Sequence, residues 1–426
     1  MRRYESYKDS GVEWLGEVPH CWDVKKVKNI FHLIVEPAAK NNQCELLSVY
    51  TDIGVKPRAE LEERGNKAST TDGYWIVKKG DIVVNKLLAW MGAIGLSEYD
   101  GVTSPAYDIL RPHQQINGKF FHYLFRTPLC LSEFKKNSRG IMDMRLRLYF
   151  EELGNIYIPF PSYQEQQKIA QFLDDKTAKI DQAVDLAEKQ IALLKEHKQI
   201  LIQNAVTRGL NPDVPLKDSG VEWIGQVPEH WEVKKLKNIA VIFNGATPSS
   251  NNQDYWDGNI VWITPKDINN IKIITSSERK ITQKGYENCG SYLVSPGNIV
   301  ITTRAPIGKV AITDVELCTN QGCKSLVLNE KINNVFLYYY LIVSTEYLNS
   351  LGSGTTFMEL SGTALGIVKV PLPAIQEQQK IADYLDKQTA KIDQAIALKT
   401  AHIEKLREYK SVLINDVVTG KVQVLV

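Results

Sequence analysis

The chain contains two copies of the same pair of sequence segments, and this duplication constrains its fold more than any other feature. Residues 8–30 and 217–239 are identical at 17 of 23 positions; they read KDSGVEWLGEVPHCWDVKKVKNI and KDSGVEWIGQVPEHWEVKKLKNI. Residues 164–183 and 376–395 are identical at 16 of 20 positions, and each is preceded by a Pro-x-Pro. We call residues 8–30 and 217–239 the boxes and the segment that follows each of them a module. The order box, module and second repeated segment thus occurs twice along the chain.

The modules between the repeats, residues 31–158 and 240–370, have similar lengths but little evident identity. Drift after a plain duplication would blur frame and modules alike, so a well-kept frame around unlike modules favours one mechanical role performed with two specificities. At 426 residues the chain is long enough for several domains. We expect four parts: residues 1–161 as the first module with its box, 162–210 as a long helix, 211–373 as the second module with its box, and 374–426 as a second long helix.

The second repeat has the composition of a long helix. Between Gln164 and Val206 there is no proline or glycine, and strong helix formers dominate. Ser162 with Glu165 forms a capping box, whereas the second copy has Ala374 at the serine position. Gly209 and Gly420 mark the two helix ends.

Apolar residues in both predicted helices alternate at spacings of four and three, which is the pattern of a coiled-coil seam. The candidates for both the seam and partner docking are Ile180, Val184, Ile191, Leu194, Lys198 and Leu201 in one helix and Ile392, Ile396, Ile403, Leu406, Lys410 and Leu413 in the other. Ala187, Ala205, Lys399 and Val417 complete the seam spacing. Lys198 and Lys410 are polar seam residues of the kind that fixes register.

Two such helices most simply pack on each other as an antiparallel coiled coil, because the module between them must return the chain. The rod would be about 65 Å long at 1.5 Å per residue, with one module at each end and internal pseudo-two-fold symmetry. The alternative is that each helix packs on its own module as an ordinary amphipathic helix. The seam, unbroken over several heptads, favours the rod.

Both modules read as mixed α/β, which makes the whole chain an α+β protein. Short strands bounded by turn residues are predicted at 82–84, 299–301 and 367–370, and helices at 117–127 and 333–350. Most of the tryptophans of the modules are expected in the core. Trp14, Trp22, Trp223 and Trp231 recur in the boxes and are expected to anchor each box to its surroundings.

Basic and hydrogen-bonding side chains cluster in turns of both modules. Arginine can bind guanine with two hydrogen bonds, so such clusters are candidates for reading DNA bases. The candidate DNA-binding residues are Lys86, Lys135, Lys136, Arg139, Arg145 and Arg147 in the first module and Lys266, Thr302, Thr303, Arg304 and Lys309 in the second. Any one of them is more often an ordinary surface charge, and the clusters carry more weight than their members.

Several functions lack support in the sequence. The six cysteines form no metal-ligand spacing and suggest reduced thiols in the cytoplasm. No phosphate-binding loop, nuclease metal motif or apolar run long enough for a membrane helix occurs. We therefore expect neither catalysis nor a metal site. The net charge of only +2 is low for a protein that holds DNA by itself, so partners are expected to supply part of the phosphate contact.

The frame motifs KDSGVEWLGEVP and P-x-P-x-x-Q-E-Q-x-x-I-A, each present twice around unlike modules, closely resemble those of the DNA specificity subunit of type I restriction-modification systems. The segments 84–93 and 303–308 also look like patterns of that family. The resemblance covers nearly the whole chain, and the serine missing at Ala374 departs from it only locally.

The resemblance implies that each module is a target recognition domain for one half of a split, asymmetric site in double-stranded DNA. The helices would set the gap between the halves and dock two methyltransferase subunits, and restriction subunits with translocase activity would join them. S-adenosylmethionine, ATP and Mg would be bound by those partners and not by this chain. The alternative is a two-module coiled-coil scaffold that does not bind DNA specifically.

Overall fold

The computed structural model describes residues 2–60, 71–269, 271–353 and 358–424. The chain forms two compact units: residues 1–188 together with 400–426, and residues 189–399. Each unit holds one box, one module and a part of each long helix.

The module of the first unit is built on a four-stranded antiparallel sheet in the order β4-β11-β8-β9, with β5–β6 and β7–β10 as additional antiparallel pairs. The strands of this unit are β1 (Tyr7–Asp9), β2 (Glu17–Pro19), β3 (Asp23–Lys26), β4 (Phe31–Ile34), β5 (Leu47–Tyr50), β6 (Gly54–Pro57), β7 (Trp75–Val77), β8 (Ile82–Asn85), β9 (Ile94–Leu96), β10 (Gly101–Thr103), β11 (Tyr107–Pro112) and β12 (Tyr157–Phe160).

Helices cover one side of this sheet and form an aromatic core with it. They are α1 (Gly118–Phe125), α2 (Pro128–Lys136) and α3 (Phe150–Leu153), followed by the 46-residue α4 (Tyr163–Arg208), which continues into the second unit. Asn117 caps α1 and Thr127 caps α2 through their side-chain oxygens. Phe31, Phe121 and Phe125 are fully buried against one another.

The second unit has a five-stranded sheet in the order β16-β23-β20-β21-β18 and a three-stranded sheet in the order β19-β17-β22. Its strands are β13 (Leu216–Asp218), β14 (Gln226–Pro228), β15 (Glu232–Lys235), β16 (Ala240–Asn244), β17 (Trp256–Ile263), β18 (Ile273–Ile274), β19 (Lys280–Ile281), β20 (Ile299–Thr302), β21 (Val310–Thr313), β22 (Leu317–Thr319), β23 (Cys323–Leu328) and β24 (Lys369–Leu372). Its helices are α5 (Gln283–Glu287), α6 (Asn334–Val343), α7 (Thr345–Ser350), α8 (Gly362–Gly366) and α9 (Ile375–Val418), the last of which ends in the first unit.

The two modules share a sheet although their sequences do not visibly match. The order β4-β11-β8-β9 of the first is repeated as β16-β23-β20-β21 in the second, with antiparallel pairing throughout. The second module then adds β18 in parallel to β21. The unlike modules are therefore variants of one scaffold, which supports the interpretation of one role performed twice.

The repeated segments are joined to each other within each unit. The box strand β3 pairs with β12, which leads into α4, and β15 pairs in the same way with β24 ahead of α9. A fully buried glutamine completes each junction: the Gln166 amide donates to the Pro161 carbonyl and accepts from the backbone N–H of Asn117. Gln378 makes the equivalent bonds to Pro373 and Asn333. The two copies of the frame are thus identical at a position whose side chain satisfies buried backbone hydrogen-bonding groups.

The long helices pair in antiparallel orientation in both units, as predicted. In the first unit Asp181 bonds to Lys410 and Glu188 to Arg407, so residue numbers rise along one helix while they fall along the other. In the second unit Gln190 bonds to Lys399 and Lys198 to Asp393. Every predicted seam residue is buried or half-buried, which confirms the seam.

The predicted capping box at the start of α4 is formed in one half. The backbone N–H of Glu165 donates to the Ser162 hydroxyl at 3.3 Å, but the Glu165 carboxylate accepts from the Tyr4 hydroxyl at 2.6 Å and not from the Ser162 backbone N–H. Gly209 and Gly420, just beyond the helix ends, have φ of +77° and +79°, the left-handed conformation that suits glycine. Trp22 and Trp231 of the boxes are fully buried anchors.

Two local predictions need correction. The strand predicted at 367–370 begins only at Lys369, because Ile367 is the C-cap of α8 and the chain must turn there before it can pair with β15. The helix predicted at 333–350 is two helices, which meet at Ser344. The Ser344 hydroxyl donates to the Tyr340 carbonyl and competes with the helical hydrogen bond at that point.

Candidate nucleic-acid interface

A closed loop docks beside the central strand in each module. In the first module Arg139 and Arg147 form an antiparallel backbone pair with two hydrogen bonds of 2.9 Å, and the N–H of Leu148 donates to the Lys86 carbonyl after β8. We call residues 139–147 the arm. In the second module Ser353 and Glu359 pair in the same way, and Leu360 donates to the Thr303 carbonyl after β20.

The two loops have the same attachment but different contents. The arm of the first module reads RGIMDMRLR, whereas the chain from Ser353 to Glu359 reads SGTTFME and is two residues shorter. Residues 354–357 lie outside the described part of the chain. A common framework that presents unlike loops is the arrangement expected of a protein that recognises two different sequences.

The predicted basic residues of the first module separate into paired and unpaired groups. Lys135 at the end of α2 pairs with Asp143 at 2.8 Å, and Lys136 lies 3.8 Å from Glu13. The Arg139 guanidinium pairs with Glu152, whose side chain is largely buried. These cations therefore hold the arm or the surface next to it, and their pairs with exposed acids are weak.

Arg145 and Arg147 are the arginines of the arm that remain available. Both side chains are exposed, and neither has a hydrogen-bond or ion-pair partner within the described residues. The neighbouring Leu146 and Leu148 are buried, so the alternation of this segment fixes which side chains face outward.

Lys86 is held by the module itself. Its ammonium group donates to the Asp108 carboxylate at 3.1 Å and to the Pro105 carbonyl at 3.2 Å. Burial raises the pKa of Asp108, and the hydrogen bond from Lys86 acts in the opposite direction. Since the Lys86 side chain is only 20% exposed, its first role is to compensate this buried carboxylate.

In the second module, two of the residues predicted to contact DNA have buried side chains. Thr302 and Thr303 are fully buried, and their hydroxyls donate to the carbonyls of Pro306 and Gly322. The Thr302 hydroxyl also accepts from the Lys309 backbone N–H. The structure contradicts their selection from residue type, because the Thr302 hydroxyl bonds within the loop that follows β20 and the Thr303 hydroxyl bonds to Gly322, just before β23.

The remaining predicted residues of the second module lie at its surface. Arg304 is exposed and pairs with Glu359 at 3.0 Å, which ties the β20 loop to the closed loop described above. Lys266 is exposed in a turn after β17, and the Lys309 ammonium lies 3.4 Å from the Asn269 side-chain oxygen. Arg304 thus contacts the loop that is the counterpart of the arm.

Sequence reasoning missed other cations of the second unit. The Lys324 ammonium is buried and donates to Asn244 at 2.7 Å, and burial lowers its pKa. Lys195 and Lys272, which were also not selected, line a cavity of about 670 Å³ between the module and the helices, together with the seam residue Lys198 and the DNA-binding candidate Lys309. Lys198 pairs there with Asp393 and Lys272 with Asp386. Only the fold brings these distant positions together.

The seam residues proposed for partner docking are buried or half-buried within the helix pair. Large apolar side chains outside the seam are exposed instead: Leu186, Tyr409 and Val412 in the first unit, and Leu193, Ile200 and Leu398 in the second. The heptad positions of these residues can be read from the sequence, but they were not selected because they lie outside the seam.

Within the described residues, no group of three metal-ligating side chains forms a metal site. None of the described helices has the length and hydropathy needed to cross a membrane. Cys130, Cys318 and Cys323 are buried thiols, and burial raises the pKa of each to about 12.

Comparison with known proteins assigns the family. The model of the type I restriction modification DNA specificity domain matches residues 19–195 and 228–407, which is once in each half of the chain. The putative type I restriction enzyme MjaX specificity subunit of Methanocaldococcus jannaschii is 27% identical over 99% of this chain and 97% of its own length. The MjaIX specificity subunit of the same organism is 43% identical, over 38% of each chain.

Among solved structures, a chain of a type I R-M system, solved to explain complex assembly and conformational transition, has the same fold. Its TM-score is 0.73 at 16% identity, and the match covers 94% of this chain and 98% of that one. The duplicated frame, the twin modules and the family match over most of the chain agree. The chain belongs to the type I restriction-modification DNA specificity family and is a non-catalytic subunit that recognises DNA sequence.

Proposed function

We propose that the chain reads a bipartite, asymmetric site in double-stranded DNA, with one half-site for each module, and that two methyltransferase subunits dock on its helices. The observation that carries this proposal is the pair of closed loops. They attach at equivalent places on two sheets of the same strand order, after β8 and after β20, but differ in length and sequence.

The charges that face outward support contact with a DNA duplex. Arg145 and Arg147 on the arm and Arg304 beside the second loop are exposed guanidinium groups, which suit both guanine edges and phosphates. Lys266 and Lys309 add positive charge in the second module. A net charge of +2 gives little unspecific attraction, so partner subunits would close around the duplex and supply further phosphate contacts.

The exposed apolar residues of the helices support docking of partner proteins. Leu193 and Ile200 lie seven residues apart on α4, on one face of the helix, and Leu398 is exposed on α9 in the same unit. Protein interaction surfaces are typically built on contiguous exposed apolar patches, and apolar residues that share one helix face can contribute to such a patch. In this proposal the methyltransferase subunits bind S-adenosylmethionine, and restriction subunits with ATP and Mg join the assembly in the cytoplasm.

The proposal is tested with the full chain reconstituted with its methyltransferase subunits. We expect methylation of one split sequence, whereas the chain alone with labelled S-adenosylmethionine transfers nothing to DNA. A chimera in which residues 31–158 replace residues 240–370 should methylate an inverted repeat of the first half-site, because both frames then carry the same module.

Two results would contradict the proposal. Methyl transfer by the chain alone would make it an enzyme. Absence of any salt-dependent retention on duplex DNA at low salt, with the partners present, would favour the coiled-coil scaffold instead.

A further inference from the structure

The tip of the arm carries the most exposed large apolar side chain among the described residues. Ile141 is 99% exposed, and the adjacent Met142 is 59% exposed. A single exposed apolar residue is ordinary on a protein surface. Here, however, two of them are adjacent, stand at the end of a projecting loop and are followed by the exposed Arg145 and Arg147.

The arm is held in a defined shape, which makes its tip suitable for specific contact. Its neck is closed by the backbone pair of Arg139 and Arg147, and the N–H of Arg145 donates to the Met142 carbonyl at 2.8 Å across the turn. The Asp143 carboxylate is bound by Lys135 of α2. A loop fixed in advance loses little conformational freedom on binding.

The shape of the arm selects the groove that it can enter. Its two ends meet in one antiparallel backbone bridge, between Arg139 and Arg147, and Asp143–Arg145 form a single 3-10 turn, so the arm is a short closed loop. The major groove of B-DNA is about 12 Å wide and admits a protein element, whereas the minor groove is only about 6 Å wide. The apolar feature that the major groove offers is the 5-methyl group of thymine.

We propose that Ile141 and Met142 contact thymine methyl groups in the major groove of the half-site read by the first module, while Arg145 and Arg147 hold the adjacent backbone or base edges. This inference rests on the proposed function and adds to it a pair of specificity-determining residues. They were not among the candidates selected from the sequence, because that selection considered hydrogen-bonding groups only.

The test uses the complex with methyltransferase subunits and duplexes in which each thymine of the first half-site is replaced by deoxyuridine, which lacks only the methyl group. For the wild-type complex we expect affinity to fall roughly fourfold for each contacted methyl. For I141A/M142A we expect weaker binding to the thymine duplex and no further loss with deoxyuridine. Replacement of thymines in the second half-site should affect both complexes equally.

A matched control and a folding measurement accompany the test. Val35, 63% exposed in the same unit but outside the arm, serves as the control in the variant V35A, which should keep the full sensitivity to deoxyuridine. The thermal unfolding midpoint of I141A/M142A should equal that of the wild type, since both side chains are exposed.

The outcomes separate this inference from the proposed function. A wild-type complex with no sequence preference would overturn the proposed function. A wild-type complex that is specific but indifferent to deoxyuridine, a first half-site without thymine, or an I141A/M142A variant with wild-type sensitivity would overturn only the assignment of Ile141 and Met142.

Discussion

Lys410 donates to both carboxylate oxygens of Asp181 at 2.7 Å, and joins the end of α9 to the first half of α4 within one unit. The second unit contains the same interaction, in which Lys198 of α4 binds Asp393 of α9 at 2.6 and 2.7 Å. In each unit a seam lysine, where the pattern calls for an apolar residue, thus meets an aspartate of the other helix. Both lysine–aspartate pairs form together in one register of the antiparallel helices.

We expect the Asp181–Lys410 pair to specify register more than stability. Both side chains are partly exposed, and such pairs contribute about 0.2–1 kcal/mol. A double-mutant cycle with D181N and K410M, read from the free energy of unfolding in urea, should give a coupling in that range. The cycle with D393N and K198M is the internal control and should give the same value. A coupling above about 3 kcal/mol would show that the pair is a main source of stability.

The next prediction concerns the unpaired arginines of the arm. In the complex with methyltransferase subunits, R145A/R147A should weaken DNA binding and reduce the slope of log affinity against log salt by up to about 2, one for each lost phosphate contact. The measurement is a salt titration of binding to the specific duplex. K79A, which removes one charge from the same unit outside the arm, should leave the slope nearly unchanged. An unaltered slope in R145A/R147A would place the arm away from the DNA.

The sequence predicted the features that depend on the spacing of apolar residues along one helix. The heptads identified the seam down to Lys198 and Lys410, because spacing along one helix determines which side chains share a face. The partners Asp181 and Asp393 could not be predicted, since they depend on how two distant helices align. The antiparallel orientation was predicted only because the chain has to return through a module.

Residue type alone was a poor guide to the interface. Thr302 and Thr303 have hydroxyl groups suited to DNA contact, but their side chains are buried. Lys86 forms an ion pair with Asp108. Neither fact can be predicted without the fold. Conversely, the exposed Ile141 looks in sequence like a core residue. Exposure is a tertiary property, so candidates chosen by chemistry had to be sorted again by structure.

Replacement of Lys86 by methionine should act on stability and depend on pH. K86M leaves the buried Asp108 carboxylate without its cation, which costs about 1–3 kcal/mol at neutral pH. It also raises the pKa of Asp108 further above that of the unfolded chain. The folded state then binds more protons, so stability falls as pH rises through the folded pKa, and most of the loss disappears toward pH 4.

The measurement for K86M is the thermal unfolding midpoint between pH 4 and pH 8. The double variant K86M/D108N removes the ionisable group and should recover stability at neutral pH while it abolishes the added pH dependence. If K86M instead lowered DNA affinity with an unchanged midpoint, Lys86 would be a DNA contact after all.

The final prediction tests whether the helices set the gap between the half-sites. The antiparallel pairing means that an insertion in one helix alone would break the bonds that Gln190 and Lys198 make to α9. Seven residues should therefore be inserted in both helices, after Glu188 and after Lys399, where the chain passes between the units. All four interhelical bonds described above then remain possible, and a heptad keeps the seam in phase.

Seven residues lengthen a helix by about 10.5 Å, which corresponds to at most about 3 bp of DNA. We expect the methylated sequence to keep both half-sites while the gap between them grows by one to about 3 bp, as mapped by sequencing of methylated DNA. A paired insertion of seven residues that changes a half-site and leaves the gap as it was would mean that the helices do not measure the distance. We expect both half-sites to be kept because the arm and the residues next to β20 are attached within their own modules, which an insertion confined to the helices leaves unaltered.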